Sequence, residues 1–255
     1  YTYWFVCPLS PVEVQKGQHV WLNFRGINYK AEIYLNGKRV NNTTHEGMFL
    51  RQSYDITPLL KADSTNMLAV LVFPPDHVGN PNGGQGGDAQ IARNCTMQYT
   101  PGWDWIQPVR DRNTGIWDEV SITTTGDVKV QHPYVVTKVP GVRNPEDKKQ
   151  APAFLETTVE LENVTQHTLQ GTAVAEFGGK KMTQTVVLKP LEKKIVSFEK
   201  QTIKEPQLWW PNGIGAHPMQ QIRFSFTSNN KESDSETVNF GIREITTAKN
   251  PINGG

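Results

Sequence analysis

The sequence predicts an all-β protein built as two successive sandwiches. Three observations carry that prediction. Apolar runs are short, Gly, Pro, Asn or Asp bounds each of them, and helical periodicity is almost absent. A chain of 255 residues is long enough for two domains of ordinary size, each with its own core.

Residues 1–6 open directly on strand character, and 20–24 alternates apolar and polar side chains as a half-buried strand does. Residues 31–35 and 38–40 flank Asn36-Gly37, the residue pair that best tolerates the two positive φ angles of a type I′ hairpin. The continuous apolar run 67–73 reads as a buried strand, and Pro74-Pro75 stops it. Residues 74–115 differ in kind: glycines crowd 79–87, and Gly102-Trp103-Asp104-Trp105 follows. So long an irregular stretch is functional or disordered, and its tryptophans argue for function. Strand character returns over 115–122, where Asp118 and Glu119 are expected to alternate with Trp117 and Val120. Beyond it, strands are predicted over 128–136, 154–161, 172–177, 185–188, 195–198, 222–227 and 237–240. Seven short strands in about 120 residues match an immunoglobulin-like sandwich. The antibody disulfide is missing, since Cys7 and Cys95 both precede the break; the two allow at most one internal disulfide, and a buried free thiol at each is the simpler expectation. The domains are set at 1–126 and 127–247, with a linker over 248–255.

Composition narrows the function. Net charge is +1, with 36% hydrophobic and 20% charged residues, which describes a soluble globular protein and predicts neither a nucleic-acid nor a membrane partner. No apolar run approaches the roughly 20 residues that span a bilayer. The pairs Lys148-Lys149, Lys180-Lys181 and Lys193-Lys194 read as solvated charges. The start in mid-strand, and Asn253-Gly254-Gly255 as a turn leading onward, imply a fragment. Asn41, Asn42, Asn94 and Asn163 each head an N-x-S/T sequon, so they are candidate N-glycosylation sites and point to a secretory-pathway, vacuolar or extracellular protein.

Most catalytic chemistries find no support. The glycine-rich stretch lacks the Lys-Ser/Thr and the following helix that a phosphate cradle needs. The six histidines are scattered without metal-ligand spacing, and no nucleophile elbow is present, so neither metal nor cofactor is expected. Glycoside hydrolysis requires two carboxylates across the scissile bond. Asp104, Asp111, Asp118 and Glu119 are the acids near the aromatic stretch, but Arg110, Asp111 and Arg112 read as a local ion-pair network. In Trp103-Asp104-Trp105, indoles can stack on the C–H face of a sugar while the carboxylate accepts from its hydroxyls. The same indoles would serve equally as core plugs.

Several motifs, in order along nearly the whole chain, carry a resemblance. Residues 31–37 (Ala31 to Gly37), 45–49 (His45 to Phe49) and 54–58 (Tyr54 to Pro58) resemble the galactose-binding-like jelly roll of glycoside hydrolase family 2. Gly102-Trp103-Asp104-Trp105 and Gly115-Ile116-Trp117 resemble the end of that domain. Leu208-Trp209-Trp210-Pro211-Asn212-Gly213 and Phe240-Gly241-Ile242-Arg243-Glu244 resemble the immunoglobulin-like domain that follows it. Residues 83–88 and 110–120 are most similar to the plant endo-β-mannosidase branch, with exo-β-glucosaminidases and β-mannosidases as near relatives. The resemblance implies a jelly roll lacking its opening strands, then the immunoglobulin-like sandwich, then a (β/α)8 catalytic domain or chain as partner. That partner would hold both catalytic glutamates of a retaining mechanism. No catalytic residue is expected here, because no Asn-Glu dipeptide suited to the acid/base position occurs. The implied substrate is an N-glycan or other β-mannoside carrying Manβ1-4GlcNAc. The implied substrate-binding residues are Trp103, Asp104 and Trp105, with Arg110, Asp111 and Arg112 as loop-ordering or subsite residues. Both folds also occur as free-standing carbohydrate-binding or adhesion modules, so fold alone leaves that alternative open.

Overall fold

The computed structural model describes residues 1–75, 94–96 and 113–247. The chain divides into two compact units, Tyr1–Thr125 and Gly126–Gly255.

In the first unit the strands are β1 (Tyr3–Leu9), β2 (His19–Phe24), β3 (Ile27–Asn28), β4 (Lys30–Leu35) and β5 (Lys38–Arg39). They continue as β6 (His45–Glu46), β7 (Gln52–Asp55), β8 (Asn66–Phe73), β9 (Gly115–Ile116) and β10 (Val120–Thr125). One sheet runs β1-β8-β4-β5, with β6 also on β4; the other runs β10-β2-β7; β3 and β9 form a separate pair. All pairings are antiparallel. Alternation makes the core. Val20, Leu22 and Phe24 of β2 meet Ile33 and Leu35 of β4 and Val70 and Val72 of β8. Each such side chain taken out of water contributes about 1.5–3 kcal/mol. The turn between β4 and β5 has Asn36 at φ 53° and Gly37 at φ 79°, the two positive angles that a type I′ turn requires.

Three expectations need correction here. The run 67–73 is buried on one face only: Leu68, Val70 and Val72 point inward while Met67 is exposed. A continuous apolar stretch cannot reveal which of its faces is covered. Cys7 and Cys95 are free, as expected, but both are exposed. Residues 115–122 are not one strand, since β9 ends at Ile116 and β10 starts at Val120. The intervening bend brings Asp118 and Glu119 onto Arg25, at 3.6 Å from its Nε and 3.3 Å from its Nη1 respectively.

The second unit contains β11 (Val128–Lys138), β12 (Ala153–Asn163), β13 (Leu169–Phe177), β14 (Lys180–Leu188), β15 (Lys193–Ser197), β16 (Gln201–Ile203), β17 (Gln220–Ser228) and β18 (Lys231–Phe240). One sheet is β11-β12-β15, with β16 also on β12, and the other is β14-β13-β17-β18. Leu155, Leu161, Met182, Leu188, Phe224 and Phe226 fill the space between them. The β13–β14 and β17–β18 hairpins turn at Gly178-Gly179 (φ 55° and 75°) and Asn229-Asn230 (φ 51° and 59°), again two positive angles each. A bulge between Gln131 and Tyr134, with His132 at φ 48°, shifts the register of β11 on β12.

Candidate functional site

All six residues expected to contact substrate or order the loop (Trp103, Asp104, Trp105, Arg110, Asp111 and Arg112) lie outside the described residues. What is described is the base from which their segment departs. On its N-terminal side, Phe73 closes β8, and its carbonyl accepts the Tyr29 N–H at 3.2 Å. On its C-terminal side, the Asn113 carbonyl accepts a hydrogen bond from Asn28 Nδ2 at 3.1 Å, and Gly115 pairs with Asn28. Both ends are therefore tied to adjacent residues of one buried stretch; Asn28 is 0% exposed. The peptide between Asn28 and Tyr29 is cis.

Trp117, just past this base, is held by contacts that sequence reading could not supply. Its indole N–H donates to the Met48 carbonyl at 2.9 Å, and its backbone N–H donates to Gly26. A Cβ on Gly26 would lie 2.3 Å from the indole, so only glycine admits the ring there. Phe49 meets the same indole edge-on, with centroids 6.0 Å apart. Beneath them His45 is 4% exposed and its Nε2 bonds the Gly47 carbonyl at 2.9 Å. Burial pushes the imidazole below its ordinary pKa, against the opposing pull of the Gly47 and Ile27 carbonyls. Among the described residues no cluster of His, Cys, Asp or Glu could hold a metal. No helix there is long and apolar enough to cross a membrane.

The sequon residues separate into two classes. Asn41 is 2% exposed, its Oδ1 accepts the Ile33 N–H at 2.8 Å, and its Nδ2 donates to Ala31 at 3.0 Å. Asn163 is 0% exposed, and its Nδ2 donates to the carbonyls of His167 and Lys189. Both are corrected from glycan candidates to structural amides, because the nitrogen that would carry a glycan is buried and bonded. Asn42 is exposed and Asn94 half-buried.

In the second unit the fold joins two motifs distant in sequence. Leu208 bridges to Ile242, and Trp209 N–H donates to the Ile242 carbonyl at 3.0 Å. The Arg243 guanidinium lies 4.4 Å from the Trp209 ring centre, and His217 meets the ring edge-on. Glu244 accepts from Val139 N–H at 2.7 Å and Lys138 Nζ at 3.2 Å. These two donors hold its carboxyl below the usual glutamate range. A cleft of about 300 Å³ runs beside Trp209, Trp210 and Arg143. With Trp209 enclosed by Arg243, His217 and Gly241, the cluster is a clasp for the end of the unit.

Two family models match this arrangement: residues 1–118 match the "glycosyl hydrolase 2 galactose-binding domain-like" model, and residues 139–243 the "glycosyl hydrolases family 2" model. The chain belongs to glycoside hydrolase family 2. It joins the galactose-binding-like jelly roll and the immunoglobulin-like domain of that family, and it carries the first unit's Gly115-Ile116-Trp117 and the second unit's Trp209–Arg243 clasp in that setting. It is 40% identical, over 100% of its own length and 27% of the relative's, to a mannosylglycoprotein endo-β-mannosidase of Lilium longiflorum. It is 31% identical to an exo-β-D-glucosaminidase of Hypocrea jecorina, over 96% of this chain and 25% of that protein. The exo-chitosanase of Amycolatopsis orientalis superimposes with a TM-score of 0.75 at 27% identity, covering 95% of this chain and 26% of that one. The chain thus spans about a quarter of the length of the relatives it matches.

Proposed function

We propose that this chain is the N-terminal, non-catalytic part of a retaining glycosidase that cleaves Manβ1-4GlcNAc in N-glycans. The observation that carries this reading is the 40% identity to the lily endo-β-mannosidase along the entire chain. Two glutamates on a (β/α)8 domain outside this chain would perform the double displacement. The Trp103-Asp104-Trp105 segment, leaving from the anchored base at Asn28–Tyr29, would contact the terminal sugar, with Arg110, Asp111 and Arg112 ordering it. Stacking on the indoles and hydrogen bonds to Asp104 would fix the pyranose for attack. An enzyme acting on N-glycans belongs in the secretory pathway or vacuole, where exposed Asn42 would be open to glycosylation.

Assay of the complete enzyme against a Manβ1-4GlcNAc-containing glycopeptide and a β-glucosaminide tests the reading. Release of the mannosyl product is expected. Cleavage of the glucosaminide alone would move the protein to the exo-β-glucosaminidase branch, which the 31% identity to the Hypocrea enzyme favours as second reading. Asp104→Ala in the same enzyme is expected to lower kcat/KM far more than thermal stability, and equal losses would make the segment a core plug instead.

A further inference from the structure

We infer that Asn212-Gly213 is a site of spontaneous covalent modification, at which the asparagine becomes aspartate and isoaspartate while the native fold stands. In this reaction the Gly213 backbone nitrogen attacks the carbonyl carbon of the Asn212 side chain. A C–N bond forms, and the amide nitrogen leaves as ammonia, taking with it the proton lost from the Gly213 nitrogen. Water then opens the cyclic imide at either carbonyl. The amide must be free to swing back onto the next nitrogen, and that nitrogen must be uncrowded. Glycine, without a Cβ, meets the second condition.

Two Asn-Gly pairs lie among the described residues, and they differ in the first condition; Asn82-Gly83 and Asn253-Gly254 lie outside them. In the β4–β5 turn the Asn36 amide is locked. Its Nδ2 donates to the Leu59 carbonyl at 2.9 Å and to Asn66 Oδ1 at 2.8 Å, and its Oδ1 accepts the Met67 N–H at 2.9 Å. All three bonds must break before attack, and buried Asn66 would lose a partner that water does not replace. Asn212 is the second residue of the turn 211–214, which the Ile214 N–H closes on the Pro211 carbonyl at 3.1 Å, with Gly213 at φ 81°. Both Asn212 and Gly213 are exposed. Among the described residues neither the Asn212 amide nor the Gly213 N–H has a hydrogen-bond partner. A Cβ built on Gly213 would meet nothing within 4 Å.

The product alters the loop that carries Trp209 into its clasp with Arg243. Aspartate adds a negative charge to that loop. Isoaspartate carries the main chain through the former side-chain methylene, so the turn is lengthened. The Trp210 N–H bond to the Ala216 carbonyl, at 3.0 Å, closes the same loop and is strained by a longer chain between its partners. None of this depends on which glycoside the enzyme cleaves.

Peptide mapping by mass spectrometry of the complete enzyme, held at mildly alkaline pH in native and in denatured form, tests this. The Asn212 peptide is expected to gain the mass of amide-to-acid conversion and to resolve into aspartyl and isoaspartyl forms, almost as fast in the native enzyme as in the denatured one. The Asn36 peptide is expected to convert in the denatured enzyme and to stay an amide in the native one. Conversion of Asn212 only after denaturation overturns the inference, and so does native conversion of Asn36 at the rate of Asn212. Gly213→Ala, which crowds the attacking nitrogen, should slow conversion several-fold. An unchanged rate would mean that water hydrolyses the amide directly, and overturns ring closure as the route. Unfolding of that variant would show as conversion of its Asn36, and the parent enzyme's native and denatured rates then decide. Amide hydrogen exchange at Trp210 should be faster in the isoaspartyl fraction than in fresh enzyme, and equal exchange overturns the predicted strain on the loop.

Discussion

The two units are both antiparallel sandwiches, yet their outer faces are finished differently. In the second unit β12 alternates strictly, with Leu155, Val159 and Leu161 inward and Glu156, Glu160 and Glu162 outward. The outward acids find cations nearby: Glu162 is 3.5 Å from Lys193 on β15, and Glu156 is 3.2 Å from Lys200, just before β16. On the other sheet Glu176 pairs with Lys181 at 2.7 Å, and Arg223 pairs with Glu232. Exposed apolar residues such as Val187 and Ile195 occur singly, which is ordinary for a surface. The outer face of β1 and β8 has no such charges on those strands and presents Trp4, Val6, Pro8 and Met67 instead. The difference teaches that alternation on its own does not identify water as the outer solvent. It shows that two faces differ, and the residue types must say what each one meets.

Disrupting the interiors should abolish the contrast, because both units depend on the same kind of core. Phe24→Ala in the first unit and Phe224→Ala in the second, at positions 1% and 0% exposed, should each cost about 3–5 kcal/mol in chemical denaturation. A markedly smaller loss for either would mean that its sandwich collapses around the cavity. Gly171→Ala comes next. Its Cβ would lie 2.4 Å from both Phe226 and the Thr227 carbonyl, so overpacking of roughly 1–3 kcal/mol is expected in a thermal melt. Gly178 and Gly179, with open space around them, serve as the comparison, and any loss there would come from their positive φ alone.

Asn41→Ala leaves the Ile33 N–H and the Ala31 carbonyl without their side-chain partner inside the first unit. A loss of about 1–3 kcal/mol is expected, with no change in glycan mass on the secreted enzyme. A mass change would return Asn41 to the glycosylated class.

Acid should weaken the second unit through Glu244. Its folded pKa is below the ordinary value, so its contribution is present above the unfolded pKa and disappears as pH falls through the folded one. Glu244→Gln should therefore melt earlier than the parent at neutral pH, and the gap should close in acid. A gap independent of pH would refute the linkage. The smallest effect is expected at the ion-paired faces. Because side chains in the Glu162–Lys193 pair are 24% and 56% exposed, Glu162→Gln should change stability by no more than about 1 kcal/mol.

Much of the fold was legible because it is local. Asn36-Gly37 specified a hairpin by backbone preference alone, and the structure has both residues at positive φ. Gly178-Gly179 and Asn229-Asn230 likewise carry two positive φ angles each, but the strands that follow them, rich in Lys, Glu and Ser, lack the alternating apolar pattern that marks a hairpin in sequence. The candidate site was legible only as a set of residue types. Nothing in residues 26–30 announces that Asn28 and Tyr29 anchor both ends of the aromatic segment, since their partners at Phe73 and Asn113 are 44 and 85 positions away.

By itself, the sequence determined the period-two patterning, the turns that punctuate it, the family motifs and their order. All of these are written in neighbouring residues and in the conformations those residues permit. Only tertiary structure decided that Asn41 and Asn163 hold backbone together, that Cys7 is exposed, that Trp117 lies over Gly26, and that Trp4 and Val6 stand exposed on β1. Each of these depends on which distant strand comes alongside, and burial and hydrogen-bond satisfaction are properties of that meeting rather than of either partner.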